Sequence, residues 1–128
     1  MRITLDWPSN KLSPNARGHW AVKAKETKLA KNSAFWITEA TMREAGMSGV
    51  AGPVDVLMVF HPRTHHAFDL DNLQARMKAS LDGIALALGI DDVHFRPVSQ
   101  MGARKSRGAV VVTLTPAVVE IPVRGAIS

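Results

Sequence analysis

The sequence predicts a small α+β domain: a roughly four-stranded mixed or antiparallel sheet with two main helices on one face. Three observations predict it. Two segments carry apolar residues at helical spacing. Four short segments are rich in β-branched residues. Their order is strand, helix, strand, helix, strand, strand. The chain has 128 residues, 46% of them apolar. That is enough for one core, so residues 1–128 read as a single domain.

The elements follow in order. "RITLDW" is short and alternating, which predicts a first strand. "PSNKLSPNARG" is rich in Pro, Ser, Asn and Gly and predicts a loop; it carries Lys11 and Arg17 without an acid. From His19 to Ala45 the sequence permits a helix. Val22, Leu29, Ile37 and Ala40 supply its apolar stripe, and Trp36 is expected to pack there. Lys25, Lys28 and Lys31 recur along a polar flank. "VDVLMVF" predicts a buried strand ending at His61-Pro62. Leu73, Met77, Leu81, Ile84 and Leu88 are spaced four, four, three and four, which predicts one continuous helix, with Gly89 as its stop. "DDVHFRPVSQMGA" predicts a strand, "RKSRG" a basic turn and "AVVVTLTP" the partner strand. Residues 117–128 form a C-terminal extension.

Composition narrows the function. There is no cysteine, which excludes disulfides and thiolate zinc sites and suits a reducing compartment. No apolar run approaches the roughly 20 residues that span a bilayer, and the N-terminus lacks a signal-peptide core. A soluble cytoplasmic protein is expected. The net charge of +5 favours an anionic partner, with nucleic acid first.

The chemistry concentrates in "FDLDN". Asp69 precedes a helix and Asp71 and Asn72 lie near its first turn. A helix cap needs one such acid, not two. A calcium loop fails on spacing. With Asp69 as the first position, the fifth, sixth and twelfth are Leu73, Gln74 and Ser80, where an EF-hand needs an oxygen ligand, a Gly and a Glu. A divalent-metal site for phosphodiester hydrolysis remains. Mg²⁺ takes hard oxygen ligands and keeps several waters, so two or three carboxylates suffice. "GIDDVHF" supplies Asp91 and Asp92. Strand alternation places Val93 and Phe95 toward the core and Asp92 on the other face, so Asp92 is the better ligand and Asp91 the second. Lys78 falls within about 20° of Asp71 on a continuous helix and is the expected phosphate contact, with Arg76 as fallback. Its bland role is an ion pair with Asp82. A zinc site from His61, His65 and His66 is disfavoured by Pro62 and by the divergence of adjacent residues.

"FDLDNLQARMKASLDGI…GIDDVHF" resembles the RusA family of Holliday-junction resolvases, found in bacteria and their phages. The family carries Asp-x-Asp-Asn at a helix start, Leu-Asp later on that helix and Asp-Asp before the next strand. "WPSN" and the basic turn also fit, so the likeness runs to about Pro116. It implies a homodimeric, Mg²⁺-dependent endonuclease of DNA recombination and repair, with Mn²⁺ as a substitute ion. Its substrate would be branched DNA, cut at four-way junctions by paired symmetric nicks. It also implies that Asp69, Asp71 and Asp92 are the essential acids, joined by Asp91. The family lysine position is Ala75 here; a three-residue insertion would make Lys78 its equivalent. Lys11, Arg17, Lys25, Lys28, Arg76, Arg104, Lys105 and Arg107 are expected to hold the DNA backbone. A non-catalytic DNA-binding module of the same fold is the alternative.

Overall fold

The computed structural model describes residues 1–116; the extension at 117–128 lies outside them. The elements are β1 (Arg2–Asp6), α1 (Trp20–Glu44), β2 (Val54–His61), α2 (Leu70–Arg76), α3 (Lys78–Leu88), β3 (Phe95–Met101) and β4 (Ala109–Pro116). One-turn 3-10 segments at Asn10–Leu12 and Asp92–His94 interrupt the connections. The α+β class and the order of helices and strands are as the sequence predicts.

The four strands form one mixed sheet in the order β1-β4-β2-β3. β2 pairs antiparallel with β4 and parallel with β3. A parallel pair needs a long crossover, and α2 with α3 supplies it. Alternation along the strands sorts the two faces. Ile3, Leu5, Val54, Val56, Met58, Phe60, Val110, Val112 and Leu114 are buried beneath the helices. Leu57, Val59, Val111 and Thr113 lie half-buried on the other face.

The second helical segment buries all five residues of its stripe, Leu73, Met77, Leu81, Ile84 and Leu88. Burial of such side chains contributes about 1.5–3 kcal/mol each. Gly89 stops it in the left-handed region at φ 75°, where a side chain would be strained. One correction concerns its continuity. The segment breaks at Met77, whose φ −88° and ψ 0° lie at the edge of the right-handed α region. Its amide bonds back to the Gln74 carbonyl, tightening the last turn of α2.

The face of α1 is a second correction. Val22 is 43% exposed, Leu29 54% and Trp36 64%, and Ala40 is exposed as well. Ala34, Thr38 and Met42 are buried instead. The reason is the close approach of α3. A Cβ on Gly83 would stand 2.2 Å from the Lys31 carbonyl oxygen, so small residues occupy the contact and large ones are turned away. Thr38 satisfies its buried hydroxyl by donating to the Ala34 carbonyl at 2.7 Å.

Candidate functional site

Asp69 is the N-cap of α2. Its Oδ1 accepts from the amides of Asp71 at 3.0 Å and Asn72 at 3.3 Å, satisfying two donors that the helix start leaves without partners. Asp71 follows in the first turn, exposed to solvent. Asn72 has a role that sequence reasoning missed. Its Nδ2 donates to Ser13 Oγ at 2.8 Å and its Oδ1 accepts from Arg76 Nε at 2.9 Å. The basic loop after β1 is thereby tied to the acid-bearing helix. Arg76 is half-buried in this contact.

Gln74 was also missed. Its Oε1 accepts from Ser99 Oγ at 2.6 Å, which fixes α2 against the edge strand β3. A cleft of about 410 Å³ opens beside this contact, and Asp71, Gln74, Lys78 and Asp92 line it together with the apolar Leu81 and Phe95. The fold thus brings Asp71, Lys78 and Asp92 to one surface, as the sequence predicts.

Lys78 bridges two acids there. Its Nζ is 2.5 Å from Asp92 Oδ2 and 3.0 Å from Asp82 Oδ1. The ammonium holds the Asp92 carboxyl down to about 2, with smaller contributions from Asp82 and Asp91. In return Asp92 first, and Asp82 second, raise the Lys78 pKa above its ordinary value. The ion pair expected between Lys78 and Asp82 is present, and it draws Asp82 to the edge of the site.

The segment before β3 needs correction. Asp92–His94 is a 3-10 turn, not strand, because Asp91 Oδ1 accepts from the Val93 amide at 3.0 Å and closes the turn. Alternation therefore does not apply, and Val93 is 75% exposed. Asp92 owes its place in the cleft to Lys78. Asp91 is occupied in capping.

Among the described residues, no group of three or more His, Cys, Asp or Glu side chains is placed to hold a metal ion. The histidines form no such cluster; His61 Nδ1 lies 2.7 Å from the Ala103 carbonyl. The donor set still suits a hard cation. Mg²⁺ is commonly held by one or two carboxylates and several waters, and Asp71 and Asp92 are both partly open to the same cleft.

No protein-family model matches the chain. A protein of Xylella fastidiosa (strain Temecula1 / ATCC 700964), described as uncharacterized, is 44% identical over 119 residues, spanning 88% of this chain and 74% of that protein. The chain belongs to that protein's family.

In this member of the family seven of the eight basic residues expected to hold the DNA backbone lie on three segments, and Arg76 lies on α2. Lys25 and Lys28 are exposed on α1, and Lys11 and Arg17 are exposed on the loop before it. Lys11 stands 4.0 Å from Glu26, which offsets part of its charge. Arg104, Lys105 and Arg107 are exposed on the turn between β3 and β4. That turn is docked on the end of β2, where the Lys105 amide donates to the Pro62 carbonyl at 2.9 Å. Among the described residues, no helix is long and apolar enough to cross a membrane.

Proposed function

We propose that the protein is a Mg²⁺-dependent, structure-selective DNA endonuclease that resolves four-way junctions by paired symmetric nicks. The RusA resemblance suggested this reading. The observation that carries it is the shared cleft, where two acids from separate parts of the chain stand with a lysine on a basic protein. Bare carboxylates facing DNA would repel phosphate, so their grouping makes sense with a cation between protein and backbone.

Asp71 and Asp92 would hold the ion, with Asp69, two residues before Asp71, as the third acid. When bound, such an ion would supply an activated water and offset charge on the phosphate. Lys78 would orient Asp92 through their ion pair, and its ammonium would offer the scissile phosphate a second positive charge. Gln74, anchored by Ser99, keeps α2 aligned along the cleft. Basic groups on the loop, α1 and the turn hold the backbone without reading sequence. A homodimer is part of the proposal, because two symmetric nicks call for two sites.

A non-catalytic DNA-binding module is the second reading. Two observations favour it: Lys78 already pairs with Asp92, and Asp69 is engaged as a cap. A single assay separates the two. A synthetic four-way junction is incubated with wild type and Asp71→Asn, with and without Mg²⁺. Wild type is expected to nick opposing strands only with Mg²⁺. Asp71→Asn is expected to bind the junction but lose at least about a hundredfold in cleavage, the scale of losing a group that stabilises the transition state. Binding without cleavage by wild type at every Mg²⁺ level leaves the binding module as the answer.

A further inference from the structure

A second recess lies at the end of β2, built from three loops. It has a volume of about 330 Å³ and is lined by Trp7, Arg63, Thr64, Phe68 and Arg107. Trp7 and Phe68 are half-buried, with ring centroids 5.1 Å apart and planes tilted by 59°. Trp7 also packs edge-on against the core residue Phe60. Arg63 and Arg107 are exposed, and neither forms a salt bridge with an acid among the described residues.

The walls are held by backbone. The Gly102 amide donates to the Phe60 carbonyl at 2.8 Å, and the Lys105 amide to the Pro62 carbonyl at 2.9 Å. His61 Nδ1 meets the Ala103 carbonyl at 2.7 Å. These contacts lock the turn carrying Arg107 to the strand end carrying Arg63. Phe68 immediately precedes Asp69, so the recess adjoins the start of the acid-bearing helix.

The chemistry of the lining specifies a ligand. Aromatic side chains stack on nucleobases with little regard to sequence. Guanidinium groups pair with phosphate oxygens, often bidentately. In a duplex each base is stacked on its neighbours and its ring face is covered, so only an unpaired nucleotide can present that face to a side chain. The recess has room for about one nucleotide.

We propose that this recess binds one unpaired nucleotide of a branched DNA strand, its base against Trp7 and Phe68 and its phosphate on Arg63 and Arg107. The proposal rests on the reading that the substrate is DNA, and deepens it. Preference for branched DNA then comes from capturing an unpaired base, beyond the general attraction of basic loops.

The test uses the full chain in EDTA, so that no strand can be cut. A junction carrying 2-aminopurine as an unpaired base at the branch is compared with the same reporter in a fully paired duplex. Wild type is expected to quench the unpaired reporter and to bind the branched DNA about tenfold more tightly, on the scale of one stacked base. Phe68→Ala is expected to remove the quenching and the preference while leaving duplex affinity unchanged. The double variant Arg63→Ala/Arg107→Ala alters only exposed side chains and is expected to lose most of the preference with the fold intact. Quenching and preference that survive in both variants overturn the proposal. So does saturation by free deoxyadenosine monophosphate without quenching by the branched DNA, which would make this a free-nucleotide site. A protein that never cuts with Mg²⁺ can still show the preference in EDTA, so the two readings fail separately.

Discussion

Asp69 has one observed role and one proposed. Oδ1 accepts both helix-start amides, and under the proposed function Oδ2 would serve the cation. The roles separate by substitution. Asp69→Asn keeps a good cap and should leave stability within about 0.5 kcal/mol, whereas Asp69→Ala should cost about 1 kcal/mol. Both should lose Mg²⁺-dependent cleavage. An Asn variant that is stable and still cuts would reduce Asp69 to a cap, as chemical denaturation beside the junction assay would show. Lys78 makes a second prediction, through pH. Asp92 is lowered to about 2, so its stabilising contribution is full above the ordinary carboxylate value of about 4. It is lost as pH falls from there toward about 2. Lys78 is raised, so its contribution is full below the ordinary value of about 10 and fades above it. The bridge therefore stands across the neutral range. In Lys78→Met the Asp92 carboxyl should titrate nearer its ordinary value by NMR. The stability gap from wild type should also narrow as pH drops from about 4 to about 2. An unmoved Asp92 midpoint would mean that the bridge does not form in solution.

Elements show a sharper contrast between what sequence reveals and what packing decides. The contact of α1 with α3 rests on Gly83, where a Cβ would meet the backbone of Lys31. Backbone cannot yield as a side-chain tip can, so Gly83→Ala should force the helices apart and cost about 1–3 kcal/mol in urea unfolding. An unchanged midpoint would show that the helices do not pack this closely. The same contact explains why the buried face of α1 was not legible. Hydropathy points to Val22, Leu29 and Trp36, whereas a close crossing selects Ala34 and Thr38 for their size. The stripe on α2 and α3 was legible because its five large residues are themselves the ones buried in the core, whereas the contact with α1 falls on the small Gly83. The break between them was not, since Met77 stays buried and no Gly or Pro marks it. For the site, Asp71, Lys78 and Asp92 could be singled out by residue type, but the strand alternation behind Asp92 and the continuous helix behind Lys78 do not hold. Gln74, Asn72 and the turn at Asp92–His94 could not, because each depends on a partner that only the tertiary fold or a local cap supplies.

At the scale of the whole molecule, charge placement predicts how DNA binding responds to salt. Every phosphate neutralised releases condensed counterion, and the slope of log affinity against log salt is about −0.9 per contact on duplex DNA. The cationic groups are grouped on the loop, α1 and the turn, and the Lys11 pairing with Glu26 weakens the first group. The turn should therefore weigh heavily, because Arg104, Lys105 and Arg107 are exposed on a backbone docked to β2. The variant Arg104→Ala/Lys105→Ala/Arg107→Ala should weaken junction binding and make the slope shallower by about 2–3, near one for each contact removed. Lys25→Ala/Lys28→Ala should change it by about 2 if α1 tracks the same backbone. Titrations of a junction over a range of salt concentrations, run in EDTA, measure both slopes. A turn variant with the wild-type slope would take the turn off the DNA, and with it the phosphate partner proposed for Arg107. A turn effect with no α1 effect would confine the backbone contact to the loop end of the sheet that carries the aromatic recess. The α1 lysines would then be a solvated face that serves solubility alone.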